Sequence, residues 1–342
     1  MRTLPMLMTT LAAILLLTSP KAFAADVEPL KATFDAMGGI PINLSAWGLD
    51  QPAFDQAVGR ISGRIEQLEA MISTYRPDSE VSRLNRGEKL AETSPDLSFL
   101  VFVSRWISSE TAGTFDITVK PLVELWRGCK KEQRLPTPDE YEAALANVGY
   151  FHVSVALEGS IDFDQPGIML DLGGIAKGYF ADEAVRLLRE AGATRCLADV
   201  GGDIVSWQAE GSMVEPFRMG IRHPFGGDQL YGVLELSSGS VVTSGDYERY
   251  YEIGGARYCH IFDPRNGEPV SGVHSVTVTA ERGIDADAYA TAIFVMGLEV
   301  GSRFVERHAE LEAVIIADNP AGEIVEYISP GLAGRVQFNP AR

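Results

Sequence analysis

Basic residues, cysteine and histidine are all in short supply in this chain. Against 47 Asp and Glu stand 29 Lys and Arg, so the formal net charge is −18 at pH 7. A surface that acidic disfavours nucleic acid and anionic membrane as partners, and any anionic substrate must be held by a local site against the overall field. The three cysteines, Cys129, Cys196 and Cys259, are odd in number, scattered and without CxxC spacing. That pattern indicates neither a disulfide framework nor a zinc site; one disulfide with a free thiol and three buried thiols both stay open. The sequence also lacks a fixed-period repeat, a Walker loop and a G-x-G-x-x-G fingerprint.

The apolar run near the start, Leu4 to Leu17, is too short to cross a hydrocarbon core of ~30 Å comfortably. It follows Arg2 and ends in a polar break at Thr18, Ser19 and Pro20, after which Ala22-Phe23-Ala24 supplies small residues. A positive start, a short apolar core and an A-x-A end read as a secretory signal peptide, residues 1–24, rather than a membrane anchor. No Arg pair precedes the run, so export by the general route is expected rather than the twin-Arg one. No Cys follows it to carry a lipid. The expectation is a periplasmic protein of residues 25–342, more negative still by the loss of Arg2 and Lys21.

What is present is enough for a large core: 342 residues, 46% hydrophobic and 22% charged, the size of one big domain or two intimate ones. Phe54, Val58, Ile61, Ile65, Leu68 and Ile72 recur at three- and four-residue steps and predict a helix over 53–72. Further helices are expected over 96–112, from Pro138 to about 147, over 178–191, 287–296 and 303–311, the last carrying His308. An extended stretch is expected over 161–171. Short β-rich segments between Gly and Pro follow at 195–200, 217–222, 229–236, 240–243, 258–262, 274–280, 312–316 and 324–328. Helices and antiparallel-looking strands without regular βαβ alternation make an α+β fold.

Four local constellations carry chemistry. In Asp171-Leu-Gly-Gly-Ile-Ala-Lys-Gly178, Gly173 and Gly174 permit close backbone approach and Lys177 adds a cation where a helix begins, a place that suits a phosphate. The same residues also read as a plain strand-to-helix turn. Asp199-Val-Gly-Gly-Asp203 is a second strand end with paired glycines, and alone it reads as a tight turn. His260-Ile-Phe-Asp-Pro264, ahead of the hairpin signal Asn266-Gly267, offers the best candidate for a general base, with Asp263 in its neighbourhood. Asp287 and Thr291, four apart on a helix, share a face. Two hard oxygens there suit Mg²⁺, although capping by Asp285 or Asp287, with Thr291 bonded back into its own helix, reads the same residues structurally. Together the four add up to metal-assisted chemistry on a diphosphate.

At this point the chain resembles the ApbE family. Met37-Gly38, Ser73-Thr-Tyr-Arg-Pro-Asp-Ser-Glu-Val-Ser-Arg-Leu-Asn85, Gly113-Thr-Phe-Asp-Ile-Thr118 with Pro121-Leu122 and Leu125-Trp126, the Asp171–Gly178 run, Gly201-Gly202-Asp203, Thr243-Ser-Gly-Asp246, His260–Pro264 and Asp287–Thr291 all look like its motifs, in family order. The resemblance implies a T-fold-like architecture with FAD in a cleft between its parts, and a Mg²⁺-dependent FAD:protein FMN transferase. Such an enzyme cleaves FAD, releases AMP and leaves FMN as a phosphoester on a Thr or Ser of a client redox protein. Carried over by position, Met37, Tyr75, Thr114, Phe115, Asp116, Asp171, Lys177 and Ile261 would line the FAD site, with Tyr75 stacked on the flavin. The Gly174 carbonyl, Asp287 and Thr291 would hold Mg²⁺, and His260 would deprotonate the client hydroxyl. The third residue of Met37-Gly38-Gly39 departs from the hydroxyl residue often found there. Two alternatives are an FAD-binding protein that transfers nothing and an FAD pyrophosphatase yielding FMN and AMP.

Overall fold

The alternation of side chains along the strands decides the architecture, because each strand serves two cores at once. The computed structural model describes residues 28–338 apart from 212–213 and 227–228; the expected signal peptide, residues 1–24, lies outside the described residues. In chain order the elements are β1 (Leu30–Ala36), β2 (Ile40–Trp47), α1 (Gln51–Ile72), α2 (Glu80–Asn85), α3 (Pro95–Glu110), α4 (Lys120–Glu132), α5 (Pro138–Leu145), β3 (Val153–Val155), β4 (Ile161–Phe163) and α6 (Ala176–Glu190). There follow β5 (Arg195–Val200), β6 (Asp203–Gln208), β7 (Phe217–Arg222), β8 (Leu230–Leu236), β9 (Gly239–Gly245), β10 (Tyr250–Ile253), β11 (Ala256–Cys259), β12 (Val273–Ala280), α7 (Gly283–Val305), β13 (Glu312–Asp318), β14 (Ile324–Ile328) and β15 (Val336–Phe338).

Eight strands form one sheet in the order β1-β2-β5-β6-β9-β12-β13-β14, with every neighbour antiparallel. Period-two alternation sends Ala313, Ile315 and Ala317 of β13 into the core beneath the helices. Val314 and Ile316 point the other way, into a second core shared with the small sheet β15-β8-β7. In β5, Cys196 and Ala198 face the helices while Leu197 faces the small sheet. A third cluster, built on Leu122, Trp126 and Cys129 of α4, packs against Ile253 of the β10–β11 hairpin and Phe262. This is the expected mixed helix-and-sheet fold.

α1 starts because Asp50 accepts from the Ala53 N–H at 2.9 Å, and its buried face runs Phe54, Ala57, Ile61, Ile65 and Leu68. α6 and α7 cross where each begins. At Gly178 an added Cβ would run into the Gly283 carbonyl, and at Gly283 it would meet the Gly178 carbonyl; only hydrogen fits between the two backbones. The free N–H groups of Gly283 and Ile284 donate to the two carboxylate oxygens of Asp182, at 2.7 and 2.9 Å. The cap of α7 therefore comes from α6, and neither Asp285 nor Asp287 supplies it.

Three expectations need correction. The stretch 161–171 is a strand only over Ile161–Phe163; beyond it the chain turns toward the loop ahead of α6. The helices expected over 287–296 and 303–311 run together as α7, interrupted at Gly297, whose φ of 74° departs from the helix. His308 lies past the end of α7, its ring stacked on Phe304 with centroids 3.9 Å apart.

Candidate active site

The loop between β4 and α6 meets the middle of α7, and the expected chemistry gathers there. Gly174 lies so close to Thr291 that a Cβ on it would stand 3.2 Å from the threonine Oγ1 and 3.4 Å from the Phe115 ring. One turn earlier on α7, the Asp287 carboxylate accepts the Gly178 N–H at 3.1 Å. Helical spacing thus puts Asp287 and Thr291 on one face, as expected, and that face looks at the glycine loop. The Thr291 hydroxyl is 3.5 Å from Ser244 Oγ on β9. Ser244 belongs to the Thr243–Asp246 motif, to which sequence reasoning gave no role.

Lys177 does not extend freely toward a ligand. Its Nζ donates to Asp203 Oδ1 at 2.9 Å, and Asp203 is 1% exposed at the start of β6. The two paired-glycine loops are thereby joined through one ion pair. Burial opposes the charge of Lys177, but Asp203, Asp287 and Glu248 together raise its pKa above the ordinary lysine range. Burial, and then the nearby Asp287 carboxylate, push Asp203 well above the usual carboxylate range; burial likewise raises Asp287. Asp203 Oδ2 is buried without a hydrogen-bond donor among the described residues. Two buried carboxylates whose pKa values are both raised, sharing one lysine, make a place short of positive charge.

His260 follows β11 directly. Its Nδ1 lies 2.8 Å from the Arg249 carbonyl, which can only accept, so Nδ1 carries the hydrogen and Nε2 keeps its lone pair. Burial lowers its pKa to about 4, and the charges of Arg249 and Lys177 act in the same direction. Asp263 is not its partner; that carboxylate pairs with Arg265 at 2.7 Å. Cys259, beside it, is a buried thiol pushed up to about 11 by that burial. All three cysteines are free and buried, which settles the choice left open between one disulfide and three thiols.

The remaining expected residues lie on separate loops, before and after several of the helices and strands. Tyr75, after α1, is 77% exposed, and its hydroxyl accepts from Arg127 at 3.2 Å. Lys120 and Arg127 of α4 lie 5.9 and 5.5 Å from its ring centre. Lys120 itself is buried, paired with Glu124 at 2.7 Å and 3.8 Å from Asp171. Sequence reading missed α4 and with it these two cations. Asp171 closes its own loop by accepting the Gly173 N–H at 3.0 Å, and its N–H donates to the Ile117 carbonyl at 2.7 Å, which ties the loop after α3 to the loop before α6. Thr114 is buried, and its hydroxyl donates to the Thr111 carbonyl at 3.1 Å. The Asp116 oxygens are already engaged, by Thr118 at 2.7 Å and by the Tyr150 N–H at 2.6 Å. Met37 stands in the β1–β2 turn at a left-handed φ of 49°, held by Glu69 at 2.9 Å. The Ile261 carbonyl accepts from Val270 at 2.9 Å.

Comparison with known proteins agrees with the fold. A family profile, that of the ApbE family, matches residues 39–315. The chain is 32% identical over 273 residues to the FAD:protein FMN transferase of Salmonella typhimurium, covering 77% of this chain and 78% of that one. It is 33% identical over 296 residues to the enzyme of the same name from Treponema pallidum, covering 81% and 80%. Among solved structures, the ApbE protein of Thermotoga maritima superposes with a TM-score of 0.80 at 29% identity, over 90% of this chain and 99% of that one. The flavin transferase ApbE of Vibrio cholerae superposes with a TM-score of 0.77 at 29% identity, over 90% and 99%.

Proposed function

This chain belongs to the ApbE family and is an FAD:protein FMN transferase, and from that premise we propose that it works with Mg²⁺, outside the cytoplasm, on a Thr or Ser of an exported redox client. The observation that carries the metal is the donor set on α7. Asp287 and Thr291 share a face opposite Gly174, with a second carboxylate at Asp203, whose Oδ1 pairs with Lys177 and whose Oδ2 has no donor among the described residues. Those are hard oxygens in a pocket short of positive charge, and they fit a small divalent cation. Gly174, Asp287 and Thr291 are the residues that would hold it. Mg²⁺ bound there would neutralise the diphosphate and the departing AMP.

The protein's own groups supply the rest. The exposed ring of Tyr75 gives the flavin a face to stack on, and Arg127 holds its hydroxyl. Lys177, fixed by Asp203, brings one positive charge near the phosphates. The client hydroxyl oxygen bonds to the FMN-side phosphorus, the bridge to AMP breaks, and AMP leaves with the bonding electron pair. The hydroxyl proton passes to His260 Nε2. A base with its pKa near 4 is fully unprotonated at neutral pH, and neighbouring phosphate charge would draw its pKa upward toward the working range.

Export rests on the signal-peptide pattern of residues 1–24, and an exported redox subunit is the client class that such a location favours. The metal assignment is tested by titrating Mg²⁺ into FAD turnover by Asp287→Ala and Thr291→Ala. The expected result is loss of metal-dependent turnover in the first and weaker apparent Mg²⁺ affinity in the second. Wild-type Mg²⁺ dependence in Asp287→Ala would rule the site out.

A further inference from the structure

The β10–β11 hairpin stands apart from both larger sheets and pairs only with itself among the described residues. Its turn is Gly254-Gly255, with φ of 58° and 81°, a two-residue loop flanked by the pair Ile253–Ala256. In such a hairpin the flanking pair exchanges both ladder hydrogen bonds and the pairs then alternate. Tyr251–Tyr258 is therefore a bonded pair. Glu252 and Tyr250, opposite Arg257 and Cys259, turn their backbone groups outward, away from β11. The side chains of α4 agree with that count: Lys130 Nζ donates to the Tyr250 carbonyl at 3.4 Å and Gln133 Nε2 to the Glu252 carbonyl at 3.1 Å. Both residues are exposed, so the edge is covered by two long side chains where another strand would otherwise lie.

A cavity of about 640 Å³ opens along this edge, lined by Lys130, Gln133, Glu248, Arg249, Tyr250 and Glu252. Its wall is also the mount of the base, since the Arg249 carbonyl, one residue before Tyr250, holds His260 Nδ1. Basic and acidic side chains are mixed in the lining, so net charge selects little; what repeats along the edge is main-chain donor and acceptor. A polypeptide in extended form is the ligand that offers the complementary pattern.

We propose that the acceptor segment of the client binds as an added strand on the outer edge of β10, taking the place of the Lys130 and Gln133 side chains and bringing its hydroxyl residue up to His260. The proposal rests on the reading of His260 as the proton acceptor for transfer.

The test uses the full mature chain with FAD, Mg²⁺ and, as probe, a short synthetic peptide centred on an unmodified acceptor threonine. Glu252→Pro removes an outward N–H and leaves the bonded pairs of the hairpin intact; the preceding Tyr251 is already extended, as proline requires. KM for the peptide is expected to rise roughly three- to tenfold, the worth of one main-chain hydrogen bond, with FAD affinity unchanged. An unchanged peptide KM would overturn the proposal. Should the variant also lose FAD binding, amide exchange of the wild-type protein decides. Slower exchange at Tyr250 and Glu252 when the peptide is bound supports the added strand; unaltered exchange, or protection that appears without peptide at high protein concentration, overturns it. Absence of any transfer by the wild type would instead refute the role of His260 and the client reading.

Discussion

Replacing Gly178 by Ala tests the link between the fold and the metal site, because one added methyl group strikes both. Gly178 is an ordinary helical residue whose φ alanine adopts without strain, so the effect is steric alone. The added carbon would overlap the Gly283 carbonyl and come within 2.9 Å of Asp287 Cβ. A backbone carbonyl cannot rotate aside as a side chain can, so α6 and α7 must separate. Overpacking of this kind destabilises by about 1–3 kcal/mol, which for a chain of this size lowers Tm by several degrees. The same separation lengthens the 3.1 Å bond from the Gly178 N–H to Asp287, so the apparent Mg²⁺ affinity of turnover falls together with Tm. The control is Gly59→Ala, on the exposed face of α1, where nothing lies within 4 Å; helix propensity alone raises stability there by about 0.5–1 kcal/mol. Differential scanning calorimetry and a Mg²⁺ titration read both effects. A Gly178→Ala protein with wild-type Tm and wild-type Mg²⁺ affinity would refute the close α6–α7 crossing and its coupling to Asp287.

Three other outcomes are expected. His260→Ala keeps FAD binding and loses transfer by about 10²–10⁴-fold; followed by NMR in the free protein, the imidazole titrates near pH 4 rather than at its ordinary 6.5. Since the folded value is the lower one, His260 contributes stability that is complete above pH 6.5 and is lost as pH falls toward 4, a dependence that His260→Ala removes in acid denaturation. Lys177→Met strands Asp203 in the interior and destabilises by about 3 kcal/mol, toward the low end for a broken buried pair because Lys177 keeps some exposure. Adding Asp203→Leu recovers most of that in urea unfolding. All three thiols resist a thiol-specific reagent in the native protein, burial having raised Cys196 to about 12 and Cys259 to about 11, and all three react once it is denatured.

Much of this was legible before any coordinates, and unevenly so. The period of α1 gave its span to within two residues, because Phe54, Ile61, Ile65 and Leu68 bury a single face and Asp50 caps it. Helical spacing alone put Asp287 and Thr291 on one face of a helix, and both stand on the face of α7 that looks at the glycine loop. α4 escaped although Leu122, Trp126 and Cys129 recur at helical steps after Pro121, because its polar face dominates its composition. β1 and β2, which pair across the Met37-Gly38-Gly39 turn, escaped as well. What sequence could not show is long-range pairing: Lys177 with Asp203 rather than with a ligand, His260 with a carbonyl rather than with Asp263, and the cap of α7 taken from Asp182. Those partners are set by how helices cross and strands register, and local pattern carries no trace of either.

The central claim is transfer itself, and intact-mass measurement addresses it most directly. Residues 25–342 are incubated with FAD, Mg²⁺ and a client domain bearing a flavinylation threonine, and the client is weighed before and after. The account predicts a gain of one FMN per client, with AMP released in equal amount and both abolished by a chelator. An unmodified client, with FMN and AMP accumulating free or with FAD bound and unchanged, would contradict it.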